Sequence, residues 1–113
     1  MDRDRRNTPR VPYYTHAVVT MDEEQFPCRT LDLSASGVSL VSQAKRQPGI
    51  PVKVELLLES VERWISLDGF LVRVERLNGL FFWGIRFDQQ DEKVKLLNPL
   101  LYSEDDLELV VAC

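Results

Sequence analysis

Three arginines and one carboxylate–hydroxyl–glycine triplet are the residues of this chain whose types and spacing can do chemistry. Arg5, Arg6 and Arg10 lie in the segment RRNTPR, and Asp32, Ser34 and Gly37 lie in DLSASG. A guanidinium grips a phosphate, or the O6/N7 edge of guanine, through two parallel hydrogen bonds, and it also stacks on the face of a base. Pro9 and Pro12 exclude a helix around the arginines and push their neighbours to extended conformations. In a fully extended arm Arg6 and Arg10 stand ~13 Å apart on the same side, a gap that one phosphate does not bridge but a dinucleotide, or a bend in the arm, does. In the second segment Leu31 and Leu33 are expected to face the core, which turns Asp32 and Ser34 outward together. An exposed carboxylate accepts from the N1–H and N2–H groups of guanine, and a serine hydroxyl donates or accepts beside it. Gly37 allows a left-handed turn or a close approach of backbone to ligand. Taken singly, each segment also has a plain reading: the arginines as a solvated basic tail, the triplet as a polar turn between strands.

Charge narrows the class of ligand. The chain has 113 residues, 44% of them hydrophobic and 28% charged, which suits one soluble domain with a single core. A net charge of −4 argues against DNA or RNA as a general partner. Residues 1–10 hold four arginines against two aspartates, so the arm carries +2 and the remaining 103 residues carry −6. A short basic arm on an acidic body favours a small, focused anion over a long polyanion. No apolar run approaches the ~20 residues that span a bilayer, so membrane insertion is not expected. The polar, basic N-terminus does not read as a signal peptide. Cys28, Cys113 and the single histidine, His16, lack metal-ligand spacing, so no metal or disulfide framework is expected and a reducing cytoplasm fits. His16 reads as a partly buried structural residue, and Trp64 and Trp83 as core or rim. If Asp32 faces outward, Cys28 on the same strand does too. No Ser/His/Asp or Cys/His constellation is evident, and catalysis is not expected.

The elements that must position these groups are strands. Tyr13–Thr20, Phe26–Ser34, Gly37–Ser42, Pro51–Glu59, Trp64–Arg76 and Leu80–Phe87 are β-rich, and several alternate cleanly, as in Val52, Val54, Leu56 and Leu58 against Lys53, Glu55 and Glu59. Asn78–Gly79 is a strong hairpin turn. The phase of the fifth strand changes, with Ile65 and Leu67 apolar before Gly69 and Phe70, Val72 and Val74 apolar after it. A bulge is therefore predicted at Asp68–Gly69. Arg73, Gly84 and Arg86 are out of phase with their apolar neighbours and should face outward. Six short strands without intervening helices predict an all-β fold, a six-stranded antiparallel barrel. After it, Asp88 is a plausible N-cap, and Val94, Leu97 and Leu101 form one helical stripe that Pro99 kinks or ends. One domain over 1–113 results: a flexible arm at 1–12, a barrel at 13–88, and a helix with an acidic tail at 89–113.

Together the two segments resemble the two-part signature of the PilZ domain, RxxxR followed by [D/N]xSxxG. Gly84-Ile85-Arg86-Phe87 resembles the family's G-[IV]-x-F strand ending, and the resemblance covers about residues 5–88. It implies a PilZ-like barrel whose arm wraps over the outer surface with ligand held between arm and strands. It further implies a receptor for the bacterial second messenger cyclic di-GMP, bound by Arg5, Arg6, Arg10, Asp32, Ser34, Gly37, Arg73 and Gly84. The family often carries an arginine or tryptophan near the position of Arg73, where it stacks on a guanine. Ligand binding would close the arm and signal to a downstream protein partner, with motility, biofilm or virulence as the output. The rival expectation is a PilZ-fold adaptor that binds little or no cyclic di-GMP and uses Leu57, Leu80 and Phe82 as a protein interface. A barrel for single-stranded nucleic acid and an enzyme are the remaining classes.

Overall fold

The computed structural model describes residues 10–59, 62–89 and 97. Its strands are β1 Val11–Pro12, β2 His16–Met21, β3 Glu24–Leu33, β4 Gly37–Ser42, β5 Ile50–Leu58, β6 Arg63–Leu77 and β7 Leu80–Phe87. Every pairing is antiparallel. The order β3-β2-β5-β6-β7-β4 closes on itself because β4 also pairs with β3, and β1 lies beside the end of β3 beyond β2. This is the six-stranded barrel that the alternating patterns predict, and closure satisfies strand edges that would otherwise be open.

Inward positions make the core. Val19, Leu33, Val38, Leu40, Val54, Leu56, Leu67 and Leu71 are wholly buried, and Trp83 and Phe87 are the largest buried side chains. Full burial of one such aliphatic or aromatic group contributes about 1.5–3 kcal/mol. The Phe26 and Trp83 rings meet edge to face, 5.7 Å between centroids. Asn78 and Gly79 adopt φ of 55° and 81°, the primed turn predicted for that hairpin, and Asp22 and Glu23 make the same kind of turn between β2 and β3 at 52° and 67°.

Two parity changes fall elsewhere than the sequence pattern puts them. β6 stays in register with β5 straight through Asp68–Gly69, and its shift against β7 comes between Leu71 and Arg73. Gly69 is an ordinary inward position without a side chain. A Cβ there would meet the Arg86 carbonyl oxygen at 2.6 Å and Ile85 Cγ2 at 3.1 Å. Phe70 and Val72 therefore point outward, 38% and 45% exposed, and only Val74 returns to the core. In β3 the pairing with β4 shifts between Thr30 and Asp32. Phe26, Cys28 and Thr30 face inward before this bulge, and Leu33 faces inward after it. Leu31 is the extra residue, half-buried on the outside, so the expectation that it faces the core is corrected. Asp32 is outward as expected, but Cys28 is inward and buried.

Burial pushes the Cys28 thiol up from 9.0 to about 11, partly offset by a hydrogen bond with Ser42. The neutral thiol is thus favoured by the fold. In a Cys113→Ser background, native protein at pH 8 is expected to resist a thiol reagent and to react only on unfolding. Because the unfolded chain loses this proton first, the Cys28 contribution to stability is present below pH ~9 and is lost as pH rises towards 11. Full labelling of the native protein at pH 8 would contradict this.

His16 and Trp64 are exposed, where a partly buried histidine and a core or rim tryptophan were the expectations. Arg5, Arg6 and the predicted C-terminal helix and acidic tail lie outside the described residues, apart from Leu97. Leu97 is helical and wholly buried.

Candidate ligand-binding face

The barrel registers bring three of the expected groups, Asp32, Gly84 and Arg73, onto one outer row. Pro12 pairs with Asp32, Asp32 with Ser39, Ser39 with Gly84, and Gly84 with Arg73. Five strands, β1, β3, β4, β7 and β6, each give one residue to this row. At 4.7–4.9 Å per strand, Asp32 and Arg73 stand about 14 Å apart, with only a hydroxymethyl and a bare backbone between them. The result is a groove of about 350 Å³ with Asp32, Ser39 and Arg73 along it and Leu31, Phe82 and Glu75 at its side.

Each end of the row is held in place. Arg10 donates from Nη1 to Asp32 Oδ1 at 2.5 Å. Its backbone is delivered there by the join between β1 and β2. The buried Thr30 hydroxyl accepts from the Thr15 amide at 2.8 Å and donates to the Tyr13 carbonyl, while the Tyr13 amide bonds the Leu31 carbonyl at 3.0 Å. At the other end Arg73 lies over Gly84. A Cβ on Gly84 would stand 3.4 Å from both Arg73 Cβ and Nη2 and 3.5 Å from Cζ, so the guanidinium rests on the glycine backbone. Arg73 Nε is also 3.7 Å from Glu75 Oε2 in an exposed pair that contributes little by itself.

Ser34 and Gly37 differ from expectation. Ser34 does not face outward with Asp32: it lies past the end of β3, in the turn to β4, and is wholly buried there. Its hydroxyl accepts from the amides of Ser36 at 3.1 Å and Gly37 at 3.2 Å, and its own amide bonds the Gly37 carbonyl at 2.9 Å. Gly37 has no positive φ. It is glycine because a Cβ would stand 2.3 Å from the Ile85 carbonyl oxygen. Both residues therefore build the β3–β4 turn, which sets Ser39 opposite Asp32. Ser39 itself was missed in the sequence. Its signal is the turn: once Ser34–Gly37 closes, Ser39 is the outward residue facing Asp32.

A second groove of about 500 Å³ lies further along the barrel between β3 and β4, with Phe26, Cys28, Arg29, Val41, Ala44 and Leu80 among its walls. Arg46 stands 4.4 Å over the Phe26 ring and pairs with Glu24 at 3.0 Å. The raised Cys28 pKa makes that thiol a poor nucleophile near neutrality. No helix among the described residues is long and apolar enough to cross a membrane.

Comparison with known proteins places this geometry. The family described as the PilZ domain matches residues 4–103. Among solved structures, the PilZ domain with c-di-GMP of YcgR from Escherichia coli has a TM-score of 0.71 at 16% identity, covering 96% of this chain and 98% of that one. The YcgR crystal structure in complex with c-di-GMP from Escherichia coli gives 0.74 at 18% identity, covering 96% of this chain and 49% of that one. The Bacillus subtilis inhibitor of motility (MotI/DgrA) gives 0.70 at 14% identity, with 88% and 51% covered. The chain thus spans about half the length of these last two proteins, and at such identities the likeness is one of fold. No curated protein matches the chain.

Proposed function

The chain belongs to the PilZ domain family, and on that premise we propose that it is a receptor for cyclic di-GMP. The observation that carries this reading is the row Asp32–Ser39–Gly84–Arg73 with Arg10 docked at its Asp32 end. Structural neighbours described as complexes with c-di-GMP support it. Asp32 accepts from the N1–H and N2–H edge of a guanine. Arg73, packed over Gly84, stacks on a base, and Ser39 leaves room for it. Arg10, with Arg5 and Arg6, supplies guanidiniums to the phosphates and the remaining guanine edges. Ser34 and Gly37 serve binding by fixing the turn that aligns Asp32 with Ser39.

Ordering an arm costs ~1–2 kcal/mol per residue fixed, so several charge-assisted contacts are needed to offset it. Closure of residues 5–10 over the barrel changes surface charge and shape, and a partner protein in the cytoplasm reads that change. The output is motility, biofilm formation or virulence. A second reading, a protein adaptor, rests on the outward cross-strand pair Leu57–Trp64, with Trp64 53% exposed.

Thermal unfolding separates the two. Ligand at 100 times its Kd stabilises the folded state by about 2.7 kcal/mol, which raises the melting temperature of a domain this size by about ten degrees. Cyclic di-GMP is expected to produce that shift and GTP is not. Equal melting with and without cyclic di-GMP would favour the adaptor.

A further inference from the structure

Beside the row that holds Asp32 lies a second row. His16 pairs with Arg29, Arg29 with Val41, Val41 with Phe82, and Phe82 with Glu75. On β4, β7 and β6 its members are two residues from Ser39, Gly84 and Arg73, so the rows run side by side on the same outer face about 7 Å apart. Between them on β3 sits only the bulged Leu31. Val41 and Phe82 are half-buried and form an apolar strip, and Arg29 is exposed at its end. Among the described residues Arg29, like Lys45, Arg63, Arg76 and Arg86, makes no ion pair, so its guanidinium is not engaged by a carboxylate.

Cyclic di-GMP has two equivalent guanines, and the Asp32 carboxylate serves the N–H edge of one. Resting on the receptor reading, we propose that the Arg29–Val41–Phe82 strip is the subsite of the other guanine. The base face lies on Phe82 and Val41, and the Arg29 guanidinium reads the O6/N7 edge. Two acceptors on that edge match the paired donors of arginine. Adenine presents an N6 amino donor in place of O6, so it offers arginine one acceptor and one clashing donor. Arg29 is therefore a specificity-determining residue: Asp32 selects one guanine and Arg29 selects the second.

The test titrates wild type, Arg29→Ala and Arg29→Lys with cyclic di-GMP and with the mixed cyclic guanine–adenine dinucleotide, which can satisfy Asp32 with its single guanine. Wild type is expected to prefer cyclic di-GMP by about tenfold or more, in line with one good bidentate contact. Both variants are expected to bind the two ligands within about twofold of each other, with melting temperatures unchanged because Arg29 is exposed. Arg29→Lys keeps the charge, so loss of discrimination there separates edge reading from simple attraction. The inference is overturned if wild type does not discriminate, if Arg29→Ala discriminates like wild type, or if it weakens both ligands equally. Absence of any cyclic di-GMP binding by wild type would remove the receptor reading as well. Binding without an Arg29 effect would remove this inference alone.

Discussion

Asp32→Ala is expected to weaken cyclic di-GMP binding by about 10- to 100-fold while leaving the barrel folded. A hydrogen bond to a charged acceptor contributes about 1.5–3 kcal/mol, and no other carboxylate in the Asp32–Ser39–Gly84–Arg73 row can replace it. The folding cost should be small. The Arg10–Asp32 pair is partly solvated, with side chains 49% and 33% exposed, and such pairs contribute roughly 0–1 kcal/mol. Asp32→Asn keeps one carbonyl acceptor and should recover part of the affinity. Titration calorimetry with melting curves on the same samples reads both effects. Parental affinity in Asp32→Ala would place the guanine edge elsewhere on the barrel.

The second large effect is on stability. Gly37→Ala would put its Cβ 2.3 Å from the Ile85 carbonyl oxygen and 3.3 Å from Arg86 Cα. Both neighbours are backbone, so relief requires β4 to move away from β7. That movement strains the Gly37–Arg86 end of the ladder and the 2.8 Å bond from the Phe87 amide to the Ser36 carbonyl. Overpacking of this kind costs about 1–3 kcal/mol, occasionally more, out of a typical 5–15 kcal/mol. Gly79→Ala is the internal comparison. Its positive φ of 81° carries a penalty of roughly 1–2 kcal/mol, but nothing lies within 4 Å of the added carbon. Urea unfolding should therefore rank Gly37→Ala below Gly79→Ala. The reverse order would mean that the β4–β7 approach relaxes easily, and that Gly37 matters for something other than this contact.

The barrel was legible because its strands alternate. β5 and β7 show their inward residues directly as Val52, Val54, Leu56 and Leu58, and as Trp83, Ile85 and Phe87. The same alternation put Asp32, Arg73 and Gly84 on the outside, where they lie. Bulges were not legible, because a bulge is a property of two strands. Leu31 looks like a core leucine until the β3–β4 register is known, and the same slip put Cys28 on the wrong face; Ser34 was put outside because strand alternation does not extend into the turn that follows Leu33. Gly69 shows the converse error. A glycine at an inward position leaves a gap in the apolar pattern that mimics a change of phase, and the true shift came later, where β6 runs between Leu71 and Arg73. Ser39 escaped notice because a lone serine on a strand carries no signal until its cross-strand partner is fixed. The signature glycine and serine were recognised by spacing, but their physical work is within the fold. The Ser34 hydroxyl, which accepts from two turn amides, and the close approach of Gly37 to the Ile85 carbonyl align Asp32 with Ser39.

Isothermal titration of the purified chain with cyclic di-GMP, with GTP as the control, tests the central claim most directly. The account expects saturable heat with cyclic di-GMP and none with GTP. No heat with cyclic di-GMP would contradict the receptor reading and leave the outward Leu57–Trp64 surface as the better guide to what this domain does.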